Sequence, residues 1–235
     1  IRNGNEVHCI LPDSRSVLIE EWDDQSTLFS TLPSSEVRFG SEYDVSIVRE
    51  ERVAGRRALL LAIRPHDDYR FGHRIWLDAE SAFPLQTQLI GTDGDPIEQV
   101  KFADIRLSRS IDPDLLAPSV DTSGFRWVNQ APRHSGHAIT TDWRAAELPR
   151  GFRAVATHGE TLPGSDDVTT HILYSDGLAN VSVFIAPAGD STEEGAMKIG
   201  GANSYSTVID GHRVTAVGEV PSMTLEQIAT TMMPR

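Results

Sequence analysis

His134 and His137 stand at the H-x-x-H spacing, which on a helix would put two imidazoles on one face and could hold a metal. Pro132, Ser135 and Gly136 make this segment a loop, no third ligand is near, and the Glu base of an H-E-x-x-H motif is absent. Solvent-exposed loop histidines are therefore the reading preferred, and no metal or other cofactor is expected. Cys9 beside His8 has the residue types of a thiolate–imidazole pair, but a lone Cys on a strand reads more simply as a small buried hydrophobe. Ser175-Asp176 with His171 supplies the three residue types of a hydrolase triad. His171, however, precedes Ser175 by four residues on the same strand, too far for direct base contact. The carboxylate pairs Glu20-Glu21, Asp23-Asp24, Glu50-Glu51, Asp67-Asp68, Asp166-Asp167 and Glu193-Glu194 are strand or turn neighbours. Adjacent strand residues point to opposite faces, so such pairs do not converge on one atom. Asp93-Gly94-Asp95 lacks the spacing and the later Glu of a calcium loop and reads as a turn. There is no G-x-S-x-G elbow, P-loop or dinucleotide fingerprint. The expectation is a protein without catalytic machinery.

One cluster points to binding instead. Arg49, Arg52, Arg56 and Arg57 gather around Val53-Ala54-Gly55, diluted by Glu50 and Glu51. The segment reads as a solvated hairpin tip or as a local anion-binding or partner patch, since guanidinium forks grip phosphates and carboxylates.

The elements that carry these residues are mostly strands. Asp44–Arg52 and Arg57–Arg64 flank the Val53–Gly55 turn, and Ala58 to Ile63 is apolar on both faces, as in a strand covered on both sides. Tyr69–Asp78, Pro84–Ile90 and Ile97–Leu107 follow, the last with broken alternation that predicts one or two bulges. These compose an antiparallel meander. Ser108–Gly124, crowded with Pro, Ser and Asp, reads as the linker. The second half restarts with Phe125–Gln130, then gives strands at Phe152–His158, Val168–Tyr174 and Leu178–Ala186, the last two joined by a two-residue turn at Asp176-Gly177. A second hairpin joins Tyr205–Ile209 to Arg213–Gly218 through Asp210-Gly211. A helix over Ser222–Met233 closes the chain, with Ser222 or Thr224 as N-cap and Thr224/Gln227 at capping-box spacing. The expected architecture is a mainly β chain of two domains, 1–108 and 125–235, separated by a linker at 109–124. The second domain is a small α+β unit of four or five strands.

The chain has 235 residues, 39 % of them hydrophobic, and a net charge of −13. That is enough for a real core and argues against general disorder. The charge gives no basic face for reading phosphates, so nucleic-acid binding is excluded. A single Cys rules out an internal disulfide scaffold and a four-Cys zinc site. The longest apolar run, Ala58–Ile63, falls far short of a membrane-spanning helix. The chain opens at Ile1 without a Met, which reads as a fragment or processed chain lacking its N-terminus and any signal peptide.

The chain resembles the RseB/MucB family of periplasmic regulators of the envelope-stress sigma factor. The resemblance rests on Arg2–Glu6, Tyr43-Asp44 with Arg52–Arg56, Tyr69–Gly72 running into Ile75–Asp78, and Phe83–Leu85. It continues through Leu148–Phe152, Tyr174–Leu178, Val181–Val183 and Val217–Pro221, in order across essentially the whole chain. The spacing from Trp143 to Leu148 is longer than the family's, and the family's N-terminal portion is missing.

The resemblance implies a two-domain binding protein of the periplasm. Its first domain would be a half-open antiparallel β-barrel of the LolA/LolB kind around an apolar cavity, N-terminally truncated here. The implied partner is the periplasmic part of a membrane-spanning anti-sigma factor of the RseA/MucA type, shielded from regulated proteolysis. Lipopolysaccharide, or another acylated lipid, is the implied releasing signal. Leu59, Leu61, Ile63, Phe71, Ile75, Leu85 and Leu89 are the candidates for the lipid cavity, and they read equally well as ordinary core. Strand facing stays open, because a one-residue slip inverts it. Self-association also stays open. The alternative function is a periplasmic lipid or lipoprotein carrier of the LolA/LolB type; a hydrolase or metal enzyme using His134/His137 or Cys9 is the least favoured.

Overall fold

The computed structural model describes residues 1–3, 6–21, 41–108, 110–118, 120–129, 137–161, 168–189 and 194–234. Among them there are eighteen strands, one α-helix and a short 3-10 turn at Pro113–Leu116, and none of the four sheets closes on itself. Two compact units result: Ile1–Leu32 with Arg106–Ser135, and Pro33–Ile105 with Gly136–Arg235.

The first unit holds β1 (Arg2–Asn3), β2 (Glu6–Leu11) and β3 (Ser16–Glu21), antiparallel to one another. Cys9, on β2, is exposed rather than the buried hydrophobe expected, whereas Val17, on β3, is fully buried.

The second unit begins with a five-stranded antiparallel meander in chain order. Its strands are β4 (Tyr43–Val53), β5 (Arg56–Pro65), β6 (Gly72–Asp78), β7 (Pro84–Ile90) and β8 (Pro96–Lys101). Ala54 (φ 49°) and Gly55 (φ 75°) form the two-residue connection of β4 to β5, both in the left-handed region that a type I′ turn requires. Two strands are shorter than expected. β6 starts at Gly72, not Tyr69, because the Tyr69 amide is bonded to the Asp67 carboxylate at 3.1 Å and Arg70 turns inward. β8 ends at Lys101, not Leu107: beyond it the Phe102 amide still reaches the Leu85 carbonyl, and Ile105 then leaves to pack on the sheet. The expected bulge is at Ile97, the extra residue between the Leu89–Glu98 and Ile90–Pro96 pairs.

β9 (Arg126–Asn129), expected to open the second half, instead pairs in parallel with β3 and belongs to the first unit. The rest of the second unit is β10 (His137–Ala138), β11 (Trp143–Ala145), β12 (Arg153–Thr161), β13 (Val168–Ser175), β14 (Asn180–Pro187), β15 (Gly195–Ile199), β16 (Ala202–Ile209) and β17 (His212–Gly218). They are followed by α1 (Ser222–Thr230) and β18 (Met232–Pro234). Seven of these strands make one antiparallel sheet, in the order β10-β12-β13-β14-β17-β16-β15, larger than the four or five expected. The Asp210-Gly211 turn is as expected, but β13 and β14 are joined by four residues, Asp176–Ala179. The Asp176 carboxylate accepts from the Leu178 and Ala179 amides at 2.9 and 2.8 Å, which rounds the loop off before the strand can resume.

Helix α1 lies over β16 and β17, and its Leu225, Ile228 and Ala229, all fully buried, share one core with Ile172, Val181, Val183, Val214 and Ala216 of the sheet. Burial of a Leu or Ile side chain contributes about 1.5–3 kcal/mol. The helix is shorter than expected. Its N-cap is Pro221, no side chain caps it, and Met232 lies in β18, paired with β11. Thr224 is unavailable as a cap because its hydroxyl donates to the Tyr69 carbonyl at 2.6 Å.

Candidate binding face of the five-stranded sheet

Register assigns the faces of the meander. Leu59, Leu61 and Ile63 of β5 stand opposite Leu77, Ile75 and His73 of β6, and His73 stands opposite Leu89 of β7. Ile47 and Val45 of β4 pair with Leu61 and Ile63. Side chains alternate across a strand, so these residues share one face. Five of the seven cavity candidates, Leu59, Leu61, Ile63, Ile75 and Leu89, are thereby brought together. Leu85 is not among them: it is the extra residue between the Trp76–Gln86 and Leu77–Pro84 pairs and packs on the opposite face with Val53, Ala58, Leu60 and Trp76. Phe71 is buried but precedes β6.

The face is graded across the strands, from the interior of the sheet to its edge strand β4. In the interior Ile63, Ile75 and Leu89 are buried, and Gly201 comes so close that a Cβ there would lie 2.7 Å from the Glu98 carboxylate and 3.5 Å from Leu89. Burial also pushes the His73 imidazole down to about 4, against the pull of the Asp176 carboxylate, so it is neutral at pH 7. At the β4 edge the face is open: Val45, opposite the buried Ile63, is 44 % and Ile47 66 % exposed, and Leu59, Leu61 and Leu77 further along β5 and β6 are half-buried. Such a surface can take up apolar matter; it offers no nucleophile or acid–base pair for chemistry.

Beside the buried interior sits an ionic junction that sequence reasoning did not find. Arg70 is fully buried. One guanidinium nitrogen, Nη2, donates to the Arg150 carbonyl at 2.5 Å, Nε lies 3.3 Å from Asp176, and Nη1 lies 3.6 Å from Asp67. The guanidinium also lies over the rings of Tyr43 and Phe152, 5.4 and 5.3 Å from their centroids. The Tyr43 hydroxyl donates to the Asp176 carboxylate at 2.8 Å; burial, then that carboxylate's charge, push its ionisation far above the ordinary tyrosine range. With the Thr224–Tyr69 bond, these contacts tie the five-stranded sheet to the seven-stranded one. The available signal was an arginine between two aromatics, Tyr69 and Phe71, just ahead of a strand.

The arginine cluster lies at the β4–β5 turn. Arg49 bonds Glu51 at 2.5 Å, Arg57 bonds Glu50 at 3.0 Å, and Arg52 donates to the Gly55 carbonyl. Arg56 grips Asp78 through two nitrogens at 2.6 and 3.1 Å and reaches Glu80 at 3.5 Å. Asp78 is held below the usual carboxylate range first by that arginine. Arg49, Arg56 and Arg57 thus pair with carboxylates, and Arg52 rests on a backbone carbonyl.

Among the described residues the remaining chemical candidates do not assemble. His134 lies outside the described residues, and the His137 backbone pairs with Gly159. The His8 ring is bonded to Glu6 and meets Trp127 edge-on. Asp176 is taken by Arg70 and Tyr43, Ser175 donates to the Ala179 carbonyl, and His171 stacks on Phe184 at 4.5 Å. Asp93 accepts from the Asp95 amide, as in a plain turn. Among the described residues no three metal-ligating side chains gather, and no helix is long and apolar enough to cross a membrane.

Comparison with known proteins places this geometry. The family model of the MucB/RseB N-terminal domain matches residues 1–120 and that of the MucB/RseB C-terminal domain matches residues 137–233. The chain is 31 % identical to the sigma factor AlgU regulatory protein MucB of Pseudomonas aeruginosa, over 84 % of this chain and 62 % of that one. It is 27 % identical to the sigma-E factor regulatory protein RseB of Escherichia coli K12, over 97 % of this chain and 71 % of that one. The chain thus spans less than two thirds of the length of the Pseudomonas relative. Among solved structures, the Pseudomonas aeruginosa MucA/MucB complex aligns with a TM-score of 0.69 at 29 % identity, covering 91 % of this chain and 73 % of that one. MucB in complex with MucA(peri) aligns with a TM-score of 0.68 at 30 % identity, covering 88 % and 73 %.

Proposed function

The chain belongs to the MucB/RseB family, and we propose that it is a periplasmic negative regulator of a sigma-factor response. In this reading it binds the periplasmic part of a MucA-type anti-sigma factor, shields it from regulated proteolysis, and is not an enzyme. The observation that carries the proposal is the match of both family domains, in order, along one chain. Two of the solved relatives that align with it are MucB in complex with MucA. The domain connection, read at 109–124 between a first domain of 1–108 and a second of 125–235, is part of the proposal, and the two separate family matches support a two-domain chain.

The open apolar edge of the five-stranded sheet supports a second element of the reading. Ile47, Leu59, Leu61 and Leu77 offer a surface for acyl chains, with Ile63, Ile75 and Leu89 as its buried floor. Lipopolysaccharide or another acylated lipid would act there to release the partner. With a net charge of −13, the chain would have to hold an anionic lipid by its acyl chains rather than by its overall field. A bare lipid or lipoprotein carrier would use the same face, but would have no need of the second domain or of an anti-sigma partner.

The test is fluorescence anisotropy of a labelled periplasmic segment from a MucA-type anti-sigma factor, titrated with the chain with and without lipopolysaccharide. Saturable binding reversed by lipopolysaccharide supports regulation. Lipid binding with no binding of the segment supports the carrier.

A further inference from the structure

On the opposite face of the five-stranded sheet, where β5 ends and β6 begins, lies a cavity of about 240 Å³. Ala62, Gly72 and Ile90 line it with apolar atoms, and Arg64 and Arg74 line it with charge; the Arg70 side chain, fully buried, stays in the junction behind it. Register explains the gathering: Ala62 pairs with Arg74 and Gly72 with Ile90, so Arg64, two residues beyond Ala62, lies diagonally beside Arg74 on one face. Gly72 keeps the backbone open here: a Cβ would lie a tight 3.3 Å from the Ile63 carbonyl.

The arginines of this cavity differ from those of the hairpin tip. Arg49, Arg56 and Arg57 each hold a carboxylate. Among the described residues, Arg64 bonds only the Ser46 hydroxyl, at 3.2 Å, and Arg74 has no hydrogen bond or ion pair. Arg70, fully buried, keeps Nε and Nη1 without a hydrogen-bond partner even though Asp176 and Asp67 lie near them. Asp67 and Asp176 meet the charge of Arg70, which leaves two guanidinium groups, Arg64 and Arg74, facing Asp68 in the cavity lining. The cavity is thus a locally cationic site on a chain of net charge −13.

We propose that this cavity binds a phosphate-class oxyanion, gripped between Arg64 and Arg74. Guanidinium groups approaching from two strands suit a tetrahedral anion, whose several oxygens can accept from both forks; a single carboxylate is satisfied by one fork. The volume lies below the roughly 300–1,000 Å³ of sites for drug-sized ligands and suits free phosphate or the phosphorylated end of a larger molecule. The site lies across the sheet from the apolar face and stands independently of the function proposed above.

The experiment is isothermal titration of the 235-residue chain with inorganic phosphate and with glycerol 3-phosphate at constant ionic strength, with acetate as the carboxylate control. A parallel arm measures co-sedimentation with phosphatidylcholine vesicles, with and without phosphatidylglycerol. Arg64→Gln and Arg74→Gln are each expected to weaken phosphate binding about tenfold, the loss of one charge-assisted contact. Asp68→Asn should tighten it, and Arg57→Gln at the hairpin tip should leave it within about twofold. Thermal unfolding of the two cavity variants should match the parent, since Arg74 has no ionic partner to lose and Arg64 none but a hydroxyl. Binding to phosphatidylglycerol vesicles alone, lost in the same variants, assigns the phosphate to a lipid headgroup and upholds the site. Absence of binding in both arms, equal binding of acetate, or binding unchanged in the Arg64→Gln/Arg74→Gln double variant overturns it.

Discussion

Replacing Asp176 by Asn deletes one charge from the junction around Arg70 and little else. An Asn oxygen can still accept from the Leu178 and Ala179 amides, now bonded to Oδ1 at 2.9 and 2.8 Å, so the loop keeps its shape. The other oxygen receives the Tyr43 hydroxyl at 2.8 Å and faces Arg70 Nε at 3.3 Å. In the variant an NH₂ group takes that place and meets a second donor. Removing one partner of a buried ion pair costs about 3–5 kcal/mol, because the remaining charge is left desolvated. Asp67, 3.6 Å from Nη1, and the Arg150 carbonyl still serve Arg70, so the loss should fall near the lower limit, about 3 kcal/mol. The comparison is Glu50→Gln, which breaks the Arg57–Glu50 pair, whose side chains are 66 and 59 % exposed, and should cost under about 0.5 kcal/mol. Urea unfolding followed by near-UV circular dichroism gives both values. The double variant Arg70→Met/Asp176→Asn should lose less than the sum of the single variants, since the buried charge goes with its partner. A cost for Asp176→Asn within about 1 kcal/mol of that for Glu50→Gln would refute the junction as a buried electrostatic tie.

Three further outcomes follow from the same geometry. Ala54 sits at φ 49° without the excuse of glycine, so Ala54→Asn should raise stability by roughly 0.5–1 kcal/mol, read as a higher urea midpoint at unchanged slope. Ile47 is 66 % exposed on the open apolar edge, so Ile47→Asp should leave the melting temperature within about 2 °C while reducing uptake of a fluorescent fatty acid several-fold; Ile75→Asp, at 4 % exposure, should unfold the sheet. His73 titrates at about 4 when folded against about 6.5 when unfolded. The unfolded chain therefore takes up the proton first: stability is full above about pH 6.5 and falls as pH drops toward 4, by up to about 3 kcal/mol. Asp78, held down by Arg56, adds its loss only below about pH 4, so His73→Gln should flatten the upper part of the acid limb and leave the lower part.

Much of the meander was legible because local rules decided it. β7 falls on the expected residues, and β4 and β5 differ by a residue at each end, since alternation and the Ala54-Gly55 turn fix them from within. Where distant partners decide, the reading failed. β9 looked like the start of a new sheet, but its edge is satisfied by β3, more than a hundred residues earlier. Asp176-Gly177 has the composition of a tight turn; its carboxylate instead caps two amides of a longer loop and serves Tyr43 and Arg70. Thr224 has capping chemistry, yet its hydroxyl is drawn to Tyr69 across the junction. Of the cavity candidates, alternation carried Leu59, Leu61 and Ile63 to one face, and the bulge at Leu85 turned that side chain to the other, a register event that local pattern does not announce. The charge of the arginine cluster was visible, but its neutralisation by Glu50, Glu51, Asp78 and Glu80 depends on pairing across strands and turns.

The central claim is that this chain takes hold of an anti-sigma factor. Equilibrium binding of the chain to the isolated periplasmic segment of a MucA-type protein tests it most directly. The account predicts a saturable complex with a dissociation constant of about 1 μM or tighter, worth at least about 8 kcal/mol, and lost when lipopolysaccharide is added. No complex up to about 100 μM of the segment, by a chain whose near-UV signal shows it folded, would contradict it.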